Sequence, residues 1–403
     1  MRYGCCKNGV FKINFTNLKN FMDWMAAEHT PGNAVEVFVD GKQVFRYASG
    51  YSDLETQTPM TGDELFYIYS CSKITTVTAG LQLLEQGKIL LGDPLYEYIP
   101  EFKEMYVKTP EGNLKKAQNS ITIGDLFSMT AGFTYNFNTE GFKKAREITK
   151  GKMDTVETIR CIAADPICFE PGTHWQYSIC HDVLAALISV ISGQKFRDYV
   201  KDNIFEPLNM TESAYHQTEK ILERMASQYT FVPDSGKVQD IVEAQKSGRE
   251  KSGVFEKISK ANKYILGEEY DSGGAGIITT LSDYNKLLVA LANYGSGLTG
   301  ERILSKHSVE LLKRNRLTPE LQKDFNWKQL AGCGYGLGVR THISPAESGL
   351  ISNAGEFGWG GAAGASAIID TKANLAVFYV QHTLNPREEI YQPRLRNVVY
   401  SCL

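Results

Sequence analysis

The 403-residue sequence lacks a metal-binding spacing: it has no C-x-x-C pair and no H-E-x-x-H element among its eight cysteines and seven histidines. Cys5, Cys6, Cys71, Cys161, Cys168, Cys180, Cys333 and Cys402 are scattered and read as free thiols. There is no basic run interleaved with aromatics, and the net charge is −3 at a pI of about 6.2. Nucleic acid is therefore not an expected partner. No apolar run is long enough to span a membrane. Met1-Arg2-Tyr3-Gly4-Cys5-Cys6-Lys7 lacks the apolar core and cleavage site of a signal peptide, so the expected location is the cytoplasm. There is no G-x-S-x-G nucleophile elbow, which argues against an α/β-hydrolase. No internal repeat or low-complexity tract occurs. No metal and no cofactor are expected.

What remains is an ordinary globular composition, 42% hydrophobic and 22% charged, long enough for two domains or one with an insertion. Within it Ser70-Cys71-Ser72-Lys73 reads S-x-x-K and opens a segment with apolar residues at helical spacing: Ile74, Val77, Leu81, Leu84. A serine at a helix start lies near the positive end of the dipole and near unpaired N–H groups. A lysine three residues on shares its helix face and, when neutral, can take the hydroxyl proton. The alternative is an N-cap serine beside a solvated lysine. Roughly one or two S-x-x-K matches arise by chance in a chain this long. The second one here, Ser192-Gly193-Gln194-Lys195, closes a helix with a glycine cap, which marks Lys195 as a surface residue. Ser70 follows the strand-like Leu65-Phe66-Tyr67-Ile68-Tyr69 and begins a helix.

The spacing predicts an amphipathic helix over 16–28 with Leu18, Phe21, Met22 and Met25 inward. A hairpin follows, turning at Asp40-Gly41. The Ser70 helix should run to Gly87, and a mainly helical stretch to about 215 should include a helix from Tyr177 to Ile191. Residues 216–265 are polar, with Lys246-Ser247-Gly248 and Lys251-Ser252-Gly253, and read as a surface segment bordering the active-site mouth. A Ser-capped helix is expected over 282–294, then strands at Gly336–Val339, Ala365–Ile369 and Leu375–Gln381. The fold class predicted is α+β, an α/β sandwich: an antiparallel sheet flanked by helices and formed by both chain ends. Its domain spans 1–88 and 270–403, and 89–269 form an inserted, mainly helical domain.

A serine–lysine nucleophile needs a second proton-handling group and a strand edge for an oxyanion hole. Pro171-Gly172-Thr173-His174-Trp175-Gln176-Tyr177-Ser178 supplies a tyrosine, and Phe357-Gly358-Trp359-Gly360-Gly361-Ala362-Ala363-Gly364 a glycine-rich edge. Taken one at a time, Tyr177 reads equally as core and Gly360-Gly361 as a bend. Together, and in this order, the three elements resemble the serine β-lactamase-like superfamily, penicillin-binding proteins included. The resemblance is strongest to its class C branch: class C β-lactamases, family VIII carboxylesterases and D-amino-acid peptidases. Met129-Thr130-Ala131-Gly132-Phe133, Ser272-Gly273-Gly274-Ala275-Gly276 and Gly334-Tyr335-Gly336-Leu337-Gly338 also look like that branch. The resemblance implies that Ser70 is acylated, that Lys73 shares its proton, and that Tyr177 relays protons to the leaving group. It implies an oxyanion hole from the Ser70 and Ala362 N–H groups, and substrate contacts at Trp359, Gly360, Gly361 and Ile179.

Two positions depart from the family pattern. Ile179 stands where the family's Tyr-x-Asn has asparagine, and Trp359 where Lys-Thr-Gly has lysine. In the family those residues hold the amide and the carboxylate of β-lactams and peptides. Their loss points to esters, and Trp-Gly-Gly looks like the esterase members. The two Lys-Ser-Gly matches at 246–248 and 251–253 are weaker candidates for the third motif, because no strand pattern follows them. The expectation is a serine hydrolase that forms an acyl-enzyme on Ser70 and cleaves a small-molecule carboxylic ester. The alternatives are an amide hydrolase (D-aminopeptidase, weak β-lactamase or D-Ala carboxypeptidase), an acyltransferase, and a non-catalytic binding protein on this fold. His181 reads as a structural histidine and Asp182 as a first-turn helix charge. The oligomeric state is open.

Overall fold

The computed structural model describes residues 13–109, 111–234 and 253–403. Eight antiparallel strands form one sheet. In chain order they are β1 (Gly32–Val39), β2 (Lys42–Asp53), β3 (Thr58–Pro59), β4 (Cys333–Tyr335), β5 (Arg340–His342), β6 (Phe357–Gly358), β7 (Ser366–Asp370) and β8 (Leu375–Gln381). In space they lie β4-β5-β6-β7-β8-β1-β2-β3, so the seam between the two parts of the chain is the β1–β8 pair, with Val35 opposite Tyr379 and Val37 opposite Val377. The β1–β2 turn carries Asp40 at φ 50° and Gly41 at φ 71°, the two left-handed residues a tight hairpin requires.

The period-2 alternation of these strands sorts two cores. Val35, Val37, Val377 and Tyr379 face Leu18, Phe21, Met22 and Met25 of helix α1 (Thr16–Glu28) and Tyr391, Leu395 and Val399 of a helix over Glu388–Ser401. Ala34, Ala376, Phe378 and Val380 face the other way, into the main core with the remaining helices. Every residue of β8 is buried, and each large apolar side chain so covered contributes about 1.5–3 kcal/mol. On that second side lie α2 (Ser72–Glu85), α3 (Cys180–Ser192) and α4 (Leu281–Ala292), with shorter helices between them; we number the helix at Glu388–Ser401 α5. The fold is that of the β-lactamase/transpeptidase class: an antiparallel sheet flanked by helices. Among the described residues no helix is long and apolar enough to cross a membrane.

Several expected elements differ. The helix expected from Tyr177 begins at Cys180, so Tyr177 lies in the segment before it and does not share a helix face with His181. Gly336–Val339 is the turn between β4 and β5, not a strand; Gly338 has φ 79° there. The helix expected at 282–294 begins one residue earlier and is capped by Thr280, whose Oγ1 accepts from Asp283 N–H. Segment 216–265 contains a helix (Glu219–Arg224) and an antiparallel pair, Gln228–Pro233 with Gly253–Ile258, joined on its other edge by Thr383–Leu384. Lys246-Ser247-Gly248, Lys251 and Ser252 lie outside the described residues. Helix α5 had no counterpart in the sequence reading. Pro393 sits within it, and a proline in a helical pattern ordinarily signals a stop.

Candidate active site

Ser70 occupies a short 3₁₀ turn, Tyr69–Cys71, that leads into α2. It is therefore not an N-cap. Tyr69 holds φ 45° and is 1% exposed, a backbone conformation a bulky residue adopts only when its surroundings impose it. Here the Tyr69 hydroxyl donates to Gln228 Oε1 at 2.7 Å, and Cys71 N–H closes the turn on Ile68 C=O at 3.1 Å.

Lys73 lies one helical turn on and is 0% exposed. Its Nζ donates to Ser70 Oγ (3.2 Å), Tyr135 Oη (3.0 Å) and Gly274 C=O (2.7 Å). The last contact explains the Ser272-Gly273-Gly274-Ala275-Gly276 segment: a Cβ on Gly274 would stand 2.8 Å from Asp182 Oδ2 and 3.2 Å from Lys73 Nζ. Burial pushes the Lys73 ammonium down to about 7, against the opposing pull of the Asp182 carboxylate. Asp182 is itself buried and accepts from Ser272 Oγ at 2.7 Å. Burial raises its pKa, while Ser272 and Lys73 act the other way. Asp182 lies in the first turn of its helix, as expected, but as a buried carboxylate beside the lysine, a placement that depends on α2 and α3 packing together. His181 is fully buried, with Nε2 3.3 Å from Phe127 C=O. Burial pushes its pKa down to about 3, so it is neutral, as a structural histidine would be.

Tyr177 is fixed by the segment around it. Gln176 N–H donates to Met129 C=O and Gly172 N–H to Thr130 C=O, both at 2.9 Å, so the Pro171–Ser178 stretch lies along Met129–Phe133. The Tyr177 ring is 4.7 Å from Lys73 Nζ, and its hydroxyl accepts from Trp359 Nε1 at 3.0 Å. Burial raises its pKa, offset in part by Ser70 and Trp359.

The glycine-rich edge meets the Ser70 turn directly. Cys71 Sγ lies 3.5 Å from Trp359 C=O, and a Cβ on Gly361 would overlap Ile68 C=O. The Ala362 N–H has no acceptor among the described residues, whereas Gly361 N–H is taken by Ala365 C=O at 2.8 Å. Ser70, Lys73, Tyr177, Trp359, Gly360, Gly361 and Ala362 therefore converge. Ile179 does not join them: it precedes α3, is 3% exposed, and packs into the main core. Sequence reasoning missed Tyr135, Trp327 and Tyr264, and read Asp182 only as a helix charge. Tyr135 bonds Lys73. Trp327 lies 5.4 Å from Tyr177 and 6.1 Å from Trp359, and Tyr264 lies 5.5 Å from Tyr135, ring to ring. Their only local signal was aromaticity. The arrangement can activate a hydroxyl, hold an oxyanion at a strand edge and deliver a proton beside both.

The Beta-lactamase family model matches residues 17–400. The chain is 28% identical over 354 residues to Esterase EstB of Burkholderia gladioli, covering 85% of this chain and 83% of that protein. Among solved structures it is similar to EstCE1, a hydrolase with promiscuous acyltransferase activity (TM-score 0.75, 21% identity, 95% and 97% of the two chains). It is similar also to Simvastatin Synthase (LovD) from Aspergillus terreus (TM-score 0.75, 20% identity, 97% and 99%).

Proposed function

The chain belongs to the Beta-lactamase family of serine hydrolases, and from that premise we propose that it hydrolyses small-molecule carboxylic esters through an acyl-enzyme on Ser70. Ser70 Oγ attacks the ester carbonyl carbon as its proton passes to neutral Lys73. The carbonyl oxygen becomes an oxyanion held by the Ser70 and Ala362 N–H groups. As the C–O bond to the alcohol breaks, Tyr177 gives the departing oxygen a proton and is reprotonated through Lys73. Water then attacks the acyl carbon, losing its proton to the same pair, and Ser70 leaves as the free hydroxyl.

The observation that carries this reading is Lys73 Nζ at 3.2 Å from Ser70 Oγ with its pKa held down to about 7, the condition for a lysine base at neutral pH. The ester preference is supported by Trp359, whose indole meets Tyr177 where family members acting on carboxylate-bearing substrates place a cation. It offers a substrate carboxylate no charged partner, while each CH₂ buried against such a wall gains ~0.8 kcal/mol. The likeness to Esterase EstB supports the same class. The test compares kcat/KM for a p-nitrophenyl acyl ester, nitrocefin and a D-Ala-D-Ala peptide, with intact-mass detection of the acyl-enzyme. The ester should be turned over far faster. A clear preference for either carboxylate-bearing substrate would refute the esterase reading.

A further inference from the structure

Trp359, Gly360 and Gly361 run extended, so their side-chain directions alternate. The Trp359 ring points to Tyr177, and a Cβ on Gly361 would run into Ile68. A Cβ on Gly360 would instead collide with Gln392 Nε2 and stand 3.4 Å from Glu388 Oε1. The space beside the strand that lines the oxyanion site is thus filled from the first turns of α5 by a carboxylate and an amide.

Glu388 is half-buried. Its Oε2 accepts from Gln329 Nε2 at 3.1 Å, and its Oε1 has no hydrogen-bond partner among the described residues. No side-chain cation pairs with it among the described residues, although as the first residue of α5 it meets the partial positive charge of that helix end. The adjacent Arg387 guanidinium lies 3.8 Å over the Phe231 ring. The groups acting on it directly are anionic or neutral: Glu389 and Tyr391 on its own helix, Cys71 from the Ser70 turn, and Tyr177; the nearby Lys328 and Arg387 act on Glu389 instead. A part-buried carboxylate without a counter-charge is costly, and such groups gather at functional sites.

We propose that Glu388, with Gln329 and Gln392, forms a specificity subsite beside Gly360 that takes a positively charged ammonium group of the ester substrate. This rests on the ester-hydrolase reading and deepens it. An ammonium supplies a full counter-charge to the carboxylate, beside the side-chain amides of Gln329 and Gln392. A substrate carboxylate meets like charge at the same place. Burial holds the Glu388 carboxyl up to about 7, so the preference for cations should grow as pH rises through that value.

The test uses p-nitrophenyl esters of matched length ending in methyl, trimethylammonium or carboxylate, and a second series carrying the same groups on the alcohol. Trimethylammonium keeps its charge at every pH, so any titration belongs to the protein. In one series at pH 8 the cationic ester should exceed the neutral one in kcat/KM by about tenfold, the factor ~1.4 kcal/mol supplies. That ratio should fall toward one below pH 6 and be small and pH-independent in Glu388→Gln. In Glu388→Lys the order should invert toward the carboxylate ester. Ratios that stay near one in both series, or that Glu388→Gln leaves intact, would overturn the subsite. If no ester is turned over, the ester reading fails on its own. The subsite is then read from the rates at which matched neutral and trimethylammonium fluorophosphonates label Ser70, where equal rates would overturn it.

Discussion

The same four-residue pattern occurs twice in this chain, and the two copies have opposite surroundings. Ser70 precedes α2, at the positive end of the helix dipole, and Lys73 is sealed from water and bonded to Ser70, Tyr135 and Gly274. Ser192 is the last residue of α3, at the negative end, before Gly193 at φ 72°. Lys195 there is half exposed and donates to Glu269 Oε2 at 2.5 Å. A serine at a helix C-terminus gains nothing from the dipole as it loses its proton, and a solvated lysine paired with a carboxylate stays protonated. Local sequence provides only the spacing. Long-range packing of α2 on α3 and on the Ser272–Gly276 segment buries one copy's lysine against its serine.

The largest expected effect tests that contrast directly. We predict that Ser70→Ala lowers kcat by roughly 10⁴-fold or more and removes any acyl-enzyme mass shift, while Ser192→Ala leaves turnover nearly intact. Labelling that survives in Ser70→Ala would sink the assignment. Next, Lys73→Ala and Tyr177→Phe should each cost about 10³-fold or more, and the double variant little beyond the worse single one, because residues acting as a unit lose activity non-additively. Fully multiplicative losses would argue for separate roles.

A smaller effect separates Asp182 from Lys73. The base must be neutral, so kcat/KM should rise with pH through about 7. The Asp182 carboxyl pulls the lysine toward its ammonium form, and Asp182→Asn can keep the bond from Ser272. Its acid limb should therefore move to lower pH, and a limb that stays put or moves upward would show that Asp182 does not act on the lysine. The smallest effect belongs to the other copy. Lys195→Ala removes a half-exposed ion pair and should change stability by less than about 1 kcal/mol in urea unfolding, with kcat/KM unchanged.

Much of the fold was legible where a local pattern meets a simple surface. Leu18, Phe21, Met22 and Met25 announced α1, Asp40-Gly41 announced the first hairpin, and Leu375–Gln381 was read as a strand to the residue. The site was legible where chemistry has a spacing, at Ser70 and Lys73. What stayed hidden depends on contacts between distant segments. Asp182 looks like any first-turn acid until α3 meets α2. Tyr135 is one of 21 tyrosines until Lys73 reaches it. Pro393 disguised α5, although it sits past the first turn and removes only one N–H from a helix held by Tyr391, Leu395 and Val399. The strands at 228–233 and 253–258 were masked by their polar faces, since a hairpin lying over the body need not alternate cleanly.

The β1–β8 seam carries a consequence for how the molecule comes into being. Beside it Thr30 Oγ1 and Thr383 Oγ1 meet at 3.2 Å across 353 positions. At ~5–20 residues per second, a ribosome that has made β1 needs on the order of tens of seconds to make its partner. Through that interval β1 has β2 on one edge and α1 on one face, while the edge β8 will cover stays open to any passing strand. The Trp359–Ala362 edge arrives in the same late instalment, so the nascent chain carries Ser70 long before it carries the edge proposed to complete its oxyanion hole. Activity should therefore appear only once the last strand has been made, and chains arrested before β8 should be inert and prone to aggregate.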